Sequence, residues 1–264
     1  TLGGYLPAIV DGYRRLVDAA RPHGARLGVQ LFHGGREQIA SPPRAPALAP
    51  SAVPSGRFRV EPRGLRTHEV DELVEGYAAA AGLAAEGGLD AVEVTAAHGY
   101  LLEQFLDAGV NRRDDAWADG EVFVRAVLRA VRREAPGLAL GVRVSADSPH
   151  AALLSELATD AGVDYLSAAL GRSSSYLGSS LIVPPPPVAD DVVAEPLRRL
   201  GRSVPLIATS RVVDVTLAEQ LVASGLADAV GMTRALIADP ELPAKARRGE
   251  LEDLIRCIGC NVCI

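Results

Sequence analysis

Residues 67–95 read THEVDELVEGYAAAAGLAAEGGLDAVEVT, one amphipathic helix followed by one buried strand. Glu69, Asp71 and Glu72 place negative charge in the first turn, which suits the positive end of a helix, and Thr67 is the expected N-cap. Val70, Leu73, Val74, Tyr77 and Ala81 recur on one face at helical spacing, and Gly87-Gly88 supplies the stop after Glu86. The run Asp90 to Thr95 is short, apolar and β-branched, as in a strand covered on both sides. A helix leading into a covered strand is the repeating unit of a parallel sheet, because parallel neighbours need a long crossover.

The same unit recurs outward from this stretch. Strands are expected at Arg26–Leu31, Asp90–Thr95, Ala139–Val144, Val163–Ser167, Val204–Ala208 and Asp228–Met232, with helical segments between most of them. No G-x-G-x-x-G follows an opening strand, which disfavours a dinucleotide-binding sheet and favours an α/β (β/α)8 barrel. Six strands do not close such a barrel, so residues 1–256 read as a partial one, with two strands expected upstream of Thr1. The first residue is Thr and the only Met is Met232, which agrees with an internal segment; a natural chain starting at Thr1 would be an inactive barrel fragment. Ser41–Gly64 carries six prolines and follows the first visible strand, so it is expected as an irregular lid loop at the end where barrels keep their chemistry. A second Pro-rich loop spans Pro184–Pro187.

A net charge of −6 and a pI near 5.4 argue against a broad nucleic-acid footprint. No apolar run approaches the roughly 18 residues of a membrane span, so a cytoplasmic protein acting on a small molecule is expected, with a homo-oligomer open. All three cysteines, Cys257, Cys260 and Cys263, fall in the last eight residues. Thiolates spaced in this way converge on zinc or an iron–sulfur cluster, and three leave such a site one ligand short. Residues 257–264 therefore read as the start of a metal-binding segment, with a fourth Cys expected beyond Ile264.

Polar residues gather at the C-terminal ends of the expected strands, where a barrel's site lies. Gln30 and His33 end the first, Thr95, His98 and Tyr100 follow the second, and Arg143 lies in the third. Ser210-Arg211 follow the fifth and Thr233-Arg234 the sixth, where many barrels bind phosphate. An unpaired buried guanidinium is costly, so three arginines at one mouth point to a bound anion.

The segment Val92–Asp114, VEVTAAHGYLLEQFLDAGVNRRD, resembles the signature of the old yellow enzyme family of FMN-dependent oxidoreductases. Cys257-Ile-Gly-Cys260-Asn resembles its iron–sulfur branch, which contains 2,4-dienoyl-CoA reductase and trimethylamine dehydrogenase. The resemblance implies FMN bound by Gln30 at the pyrimidine, by Arg143 beside N1 and O2, and by Ser210, Arg211, Thr233 and Arg234 at the phosphate. It implies NAD(P)H as donor, a 4Fe-4S cluster on Cys257, Cys260 and Cys263, and FAD in a downstream domain. For an enone or dienoyl thioester it implies hydride from flavin N5, a proton from Tyr100 and a carbonyl hydrogen bond from His98. Thr95 departs from the family, whose enone reductases carry His there and whose trimethylamine dehydrogenase carries Tyr. Amine oxidation, with electrons passing to the cluster, is the alternative, and the spacing Cys260-x-x-Cys263 favours it. An aromatic cage for a methylated cation is hard to build with one Trp and 4% aromatics.

Overall fold

The computed structural model describes residues 3–38, 46–59, 61–182, 190–201, 203–260, 262 and 263. Helix α1 (Ile9–Ala20) leads into strand β1 (Gly28–Leu31); a short pair, β2 (Leu48–Ala49) and β3 (Arg63–Gly64), precedes α2 (Thr67–Glu86) and β4 (Ala91–Ala96). Helices α3 (Leu101–Leu106) and α4 (Gly120–Glu134) lead to β5 (Ala139–Ser145), and α5 (Ala151–Asp160) to β6 (Tyr165–Ala169). Then come α6 (Tyr176–Ile182), α7 (Asp190–Arg199), β7 (Leu206–Ala208), α8 (Val215–Ala223), β8 (Ala229–Val230), α9 (Arg234–Ala238) and α10 (Leu242–Arg248). The six expected strands form one parallel sheet in the order β1-β4-β5-β6-β7-β8, the sequential order of a β/α barrel. Among the described residues β1 and β8 have one neighbour each, so the wall is open.

A recurring joint ties three pairs of neighbouring strands together. Three helices stop at a left-handed glycine, Gly88, Gly162 or Gly225, with φ of 78°, 68° and 71°. An aspartate follows two or three residues later, and its Oδ2 accepts the amide that opens the preceding strand. Leu27 donates to Asp90 at 2.9 Å, Leu140 to Asp164 at 2.7 Å and Leu206 to Asp228 at 2.8 Å. The aspartate's own amide returns the bond to the carbonyl of that same leucine in all three cases. This joint, Gly-x-Asp in two cases and Gly-x-x-Asp in the third, is a register device at the end of the wall away from the strand C-termini.

Val92, Val94 and Ala96 point outward from β4 into a core shared with α2 and α4, where Phe105 stacks on Phe123 at 3.8 Å. Burying each of these rings contributes about 2–3 kcal/mol. Trp117 stands edge-on to Phe123 at 6.0 Å, so the single Trp belongs to this core.

Two expectations need correction. Thr67 is the first residue of α2, not its N-cap; Arg66 occupies the cap, and Glu69 accepts its amide at 2.7 Å while pairing with Arg63. Thr67 instead donates its hydroxyl to Asp115 at 2.6 Å. The segment 46–64, expected as irregular, contains the parallel pair β2–β3, whose register is Leu48 to Arg63 and Ala49 to Gly64. Arg113 pins it: the guanidinium donates to the carbonyls of Pro50 at 2.9 Å and Leu65 at 2.5 Å and pairs with Asp115. Residues 41–45 of the first Pro-rich loop, and Pro184–Pro187, lie outside the described residues.

Candidate active site

Alternation along the strands puts Gln30, Glu93, Thr95, Arg143 and Ser167 on the face opposite the helices. Register then sets their neighbours: Gln30 lies beside Glu93, and Thr95, Arg143 and Ser167 form one row. Gln30 Nε2 donates to Glu93 Oε1 at 2.6 Å. Tyr165 bonds the same carboxylate, and burial, then the charge of Glu93, push its phenol up. A Cβ on Gly141 would lie 2.1 Å from the Tyr165 ring, so glycine is what lets this ring reach across the wall. One row higher, Arg143 Nη1 donates to Ser167 Oγ at 3.2 Å, and burial lowers the guanidinium's pKa. The Thr95 hydroxyl beside it is buried, without a partner among the described residues.

Past the end of β4 the chain makes two left-handed residues in succession, His98 at φ 62° and Gly99 at φ 74°. A left-handed histidine is uncommon, and the surrounding bonds hold it there. Its amide donates to Ser145 Oγ at 2.8 Å, its carbonyl accepts from Ser173, and Nδ1 lies 2.9 Å from the Gly171 carbonyl. A carbonyl only accepts, so Nδ1 carries the proton. Burial lowers the His98 pKa, and the neutral ring then offers Nε2 as an acceptor.

Two residues that sequence reasoning left out lock this turn. Glu103, 1% exposed, accepts the Gly99 amide at 2.5 Å on one oxygen and the Ser148 hydroxyl on the other. Gln104 donates to the carbonyls of Gly99 at 2.8 Å and Gly34 at 3.2 Å, and accepts the Arg36 amide at 3.0 Å. Gln104 thus ties the loop after β1 to the turn after β4. A visible signal was available: Glu103-Gln104 interrupts an otherwise apolar helix at positions that must be buried. Tyr100 opens that helix, with its ring edge-on to Phe32 at 4.6 Å and its hydroxyl bonded to Ser173. Burial raises its pKa, so the phenol keeps its proton at neutral pH.

Across the wall, Leu170 donates its amide to Ser210 Oγ at 2.7 Å, tying the turn after β7 to the end of β6. Arg211 sits at φ 62°, its Nε buried with no hydrogen-bond partner among the described residues. Burial, then the like charge of Arg234, lowers its pKa. Two cations held within Coulomb range, one with a buried idle N–H, make a site for a dianion such as phosphate. Thr233 is exposed and caps α9.

Residues 7–253 match the NADH:flavin oxidoreductase / NADH oxidase family. The chain belongs to that family. A metal reductase of Desulforamulus reducens is 33% identical over 96% of this chain, which spans 39% of that relative's length. Histamine dehydrogenase from Rhizobium sp. 4-9 superposes with a TM-score of 0.81 at 26% identity, covering 98% of this chain and 40% of that one. A 2-naphthoyl-CoA reductase superposes with a TM-score of 0.82 at 26% identity, covering 96% and 42%. The chain thus spans about two fifths of each of these relatives. The fold of the family is the (β/α)8 barrel, of which this chain supplies a six-stranded wall.

The wall fits the family's flavin mononucleotide. Gln30 on β1, Arg143 on β5, and Arg211 and Arg234 after β7 and β8 lie along this wall, and Thr95 Oγ1 and Arg211 Nε are buried without a hydrogen-bond partner among the described residues. An iron–sulfur cluster would call on the three cysteines. Cys257 is half-buried, Cys260 and Cys263 are exposed, and among the described residues no three His, Cys, Asp or Glu side chains gather closely enough for a metal.

Proposed function

We propose that the whole protein is an FMN-dependent oxidoreductase that uses NAD(P)H to reduce an activated C=C bond, of the enone or dienoyl-thioester type. The observation that carries this reading is Tyr100, a protonated phenol on a rigid turn beside the wall that holds Gln30 and Arg143. FMN, when bound, supplies the hydride chemistry. Gln30 Oε1 and Arg143 would hold the ring, and Arg211 with Arg234 the phosphate. Arg143 places positive charge where a reduced ring accumulates negative charge. Tyr100 Oη gives its proton to the substrate carbon α to the carbonyl, a task suited to a group that stays protonated yet can yield a proton to a carbanion. Thr95 Oγ, buried and idle, is the donor on hand for the substrate carbonyl; His98 fixes the turn that carries Tyr100.

Oxidation of an amine has the histamine dehydrogenase likeness in its favour. Against it, the one Trp packs in the core, away from the wall. Turnover of 2-cyclohexenone by the full-length protein with NADPH in D2O tests the proposal. One solvent deuterium at the α-carbon is the expected product; absence of NAD(P)H-dependent reduction, with amine-dependent dye reduction instead, would reverse the direction.

A further inference from the structure

The loop at 55–58 brings a cation to the mouth of the site. Gly56 approaches the Ser174 carbonyl so closely that a Cβ would lie 3.2 Å from it, and Gly99, beside Tyr100, faces the Ser174 hydroxyl in the same way at 3.7 Å. Segments 55–58, 98–100 and 173–176 therefore meet at one place. Arg57 lies there, its guanidinium carbon 4.8 Å from the Phe58 ring centre and 5.6 Å from that of Tyr176. Stacked rings fix the plane of a guanidinium but leave its N–H edge free for an oxyanion. Arg57 Nε is buried with no hydrogen-bond partner among the described residues. The charge of Arg57 is felt at Tyr100 and at Glu37.

Glu37 does not use up this positive charge. It is 5% exposed, takes the Ser55 hydroxyl at 2.7 Å on one oxygen, and lies 3.4 Å from Arg36 Nε on the other. Arg36 spends Nη1 on the Pro54 carbonyl at 3.2 Å, and its Nε is also without a hydrogen-bond partner. Two arginines thus share one carboxylate, and one positive charge is left over beside the proton donor. We infer that Arg57 recognises an oxyanion carried by the substrate, either a carboxylate close to the reacting bond or a phosphate of a coenzyme A thioester. This deepens the reductase reading and rests on it, and it disfavours an ammonium substrate, which Arg57 would repel.

Binding rather than turnover tests it, so that failure of the reductase reading, seen as absent turnover, stays distinguishable. Isothermal calorimetry on the oxidised full-length holoenzyme would compare butyrate with methyl butyrate, and butyryl-coenzyme A with its N-acetylcysteamine thioester. At least one anion should bind about tenfold more tightly than its neutral counterpart, a typical yield of one charge-assisted contact. The pair showing the difference identifies carboxylate or phosphate as the source. Arg57→Ala should erase the preference and Arg57→Lys should keep part of it; Arg57→Gln, of similar length, serves if the alanine variant does not fold. Equal affinities within both pairs, or a preference that survives Arg57→Ala or Arg57→Gln, would overturn the assignment.

Discussion

Gln30 gives its side-chain amide to Glu93 at 2.6 Å, and the carboxylate is shared with Tyr165 on the opposite side. The expected flavin ligand is thus held before any flavin meets it. With Nε2 directed to Glu93, Oε1 is presented as an acceptor, which matches an N–H on a pyrimidine edge. Glu93→Ala should leave this amide free to rotate. A charge-assisted hydrogen bond contributes about 1.5–3 kcal/mol, so FMN affinity of the full-length protein should fall roughly tenfold or more. Fluorescence of FMN released on dilution measures this, and an unchanged Kd would remove Glu93 from the binding machinery.

Tyr100 should act in one half-reaction only. Tyr100→Phe removes the proposed proton donor but leaves Gln30, Arg143, Arg211 and Arg234 in place, so flavin reduction by NAD(P)H should continue while alkene reduction slows by about 100-fold or more. Because burial raises the phenol's pKa, the wild-type oxidative half-reaction should hold level through pH 9 and decline only above pH 10. Equal losses in both half-reactions would contradict proton donation.

Gly35 joins the two loops of the site through Gln104. It sits at φ 59°, and a Cβ there would lie 2.1 Å from Gln104 Oε1. Gly24 also has positive φ, at 72°, but a Cβ would meet nothing within 4 Å. Gly24→Ala should therefore cost about 1 kcal/mol from backbone strain alone, whereas Gly35→Ala adds overlap costing a further ~1–3 kcal/mol. Denaturant midpoints of the two variants check this, and equal shifts would show that Gln104 yields freely.

The Arg113–Asp115 pair should appear in the acid limb of stability. The hydrogen bonds from Arg113 hold the Asp115 carboxyl well below the usual carboxylate range. A depressed folded-state pKa contributes stability that is complete above the unfolded value of about 4 and is lost as pH falls through the folded one. Stability should therefore decline below about pH 4, and Asp115→Asn should lower the plateau and flatten that decline. An unaltered acid limb would assign the decline to other carboxylates.

Much of this architecture was legible because it is written locally. Six covered strands and the α2 helix show their periods within a few residues, and each lies within one or two residues of its expected place. The chemistry of the wall was legible as polar residues at strand ends. Long-range partnerships were not. Glu93 looks like one more alternating strand residue until register sets it against Gln30, and Thr67 looks like a cap until Asp115 claims its hydroxyl. The two-residue strands β2 and β3 have no period among prolines, so neither they nor Arg57 beside them could be placed. The glycine–aspartate joints were readable in principle, as glycine followed two or three residues later by aspartate before three strands, but their meaning lies in the amides they reach.

The proposed flow of electrons runs from NAD(P)H to an activated alkene. Anaerobic stopped-flow spectroscopy of the full-length protein tests it most directly, following flavin absorbance after mixing with NADH or NADPH, then with 2-cyclohexenone or a dienoyl thioester. Fast bleaching by the nicotinamide and recovery of colour on adding the alkene are the expected results. Bleaching by an amine alone, with no recovery by any alkene, would contradict the proposed direction.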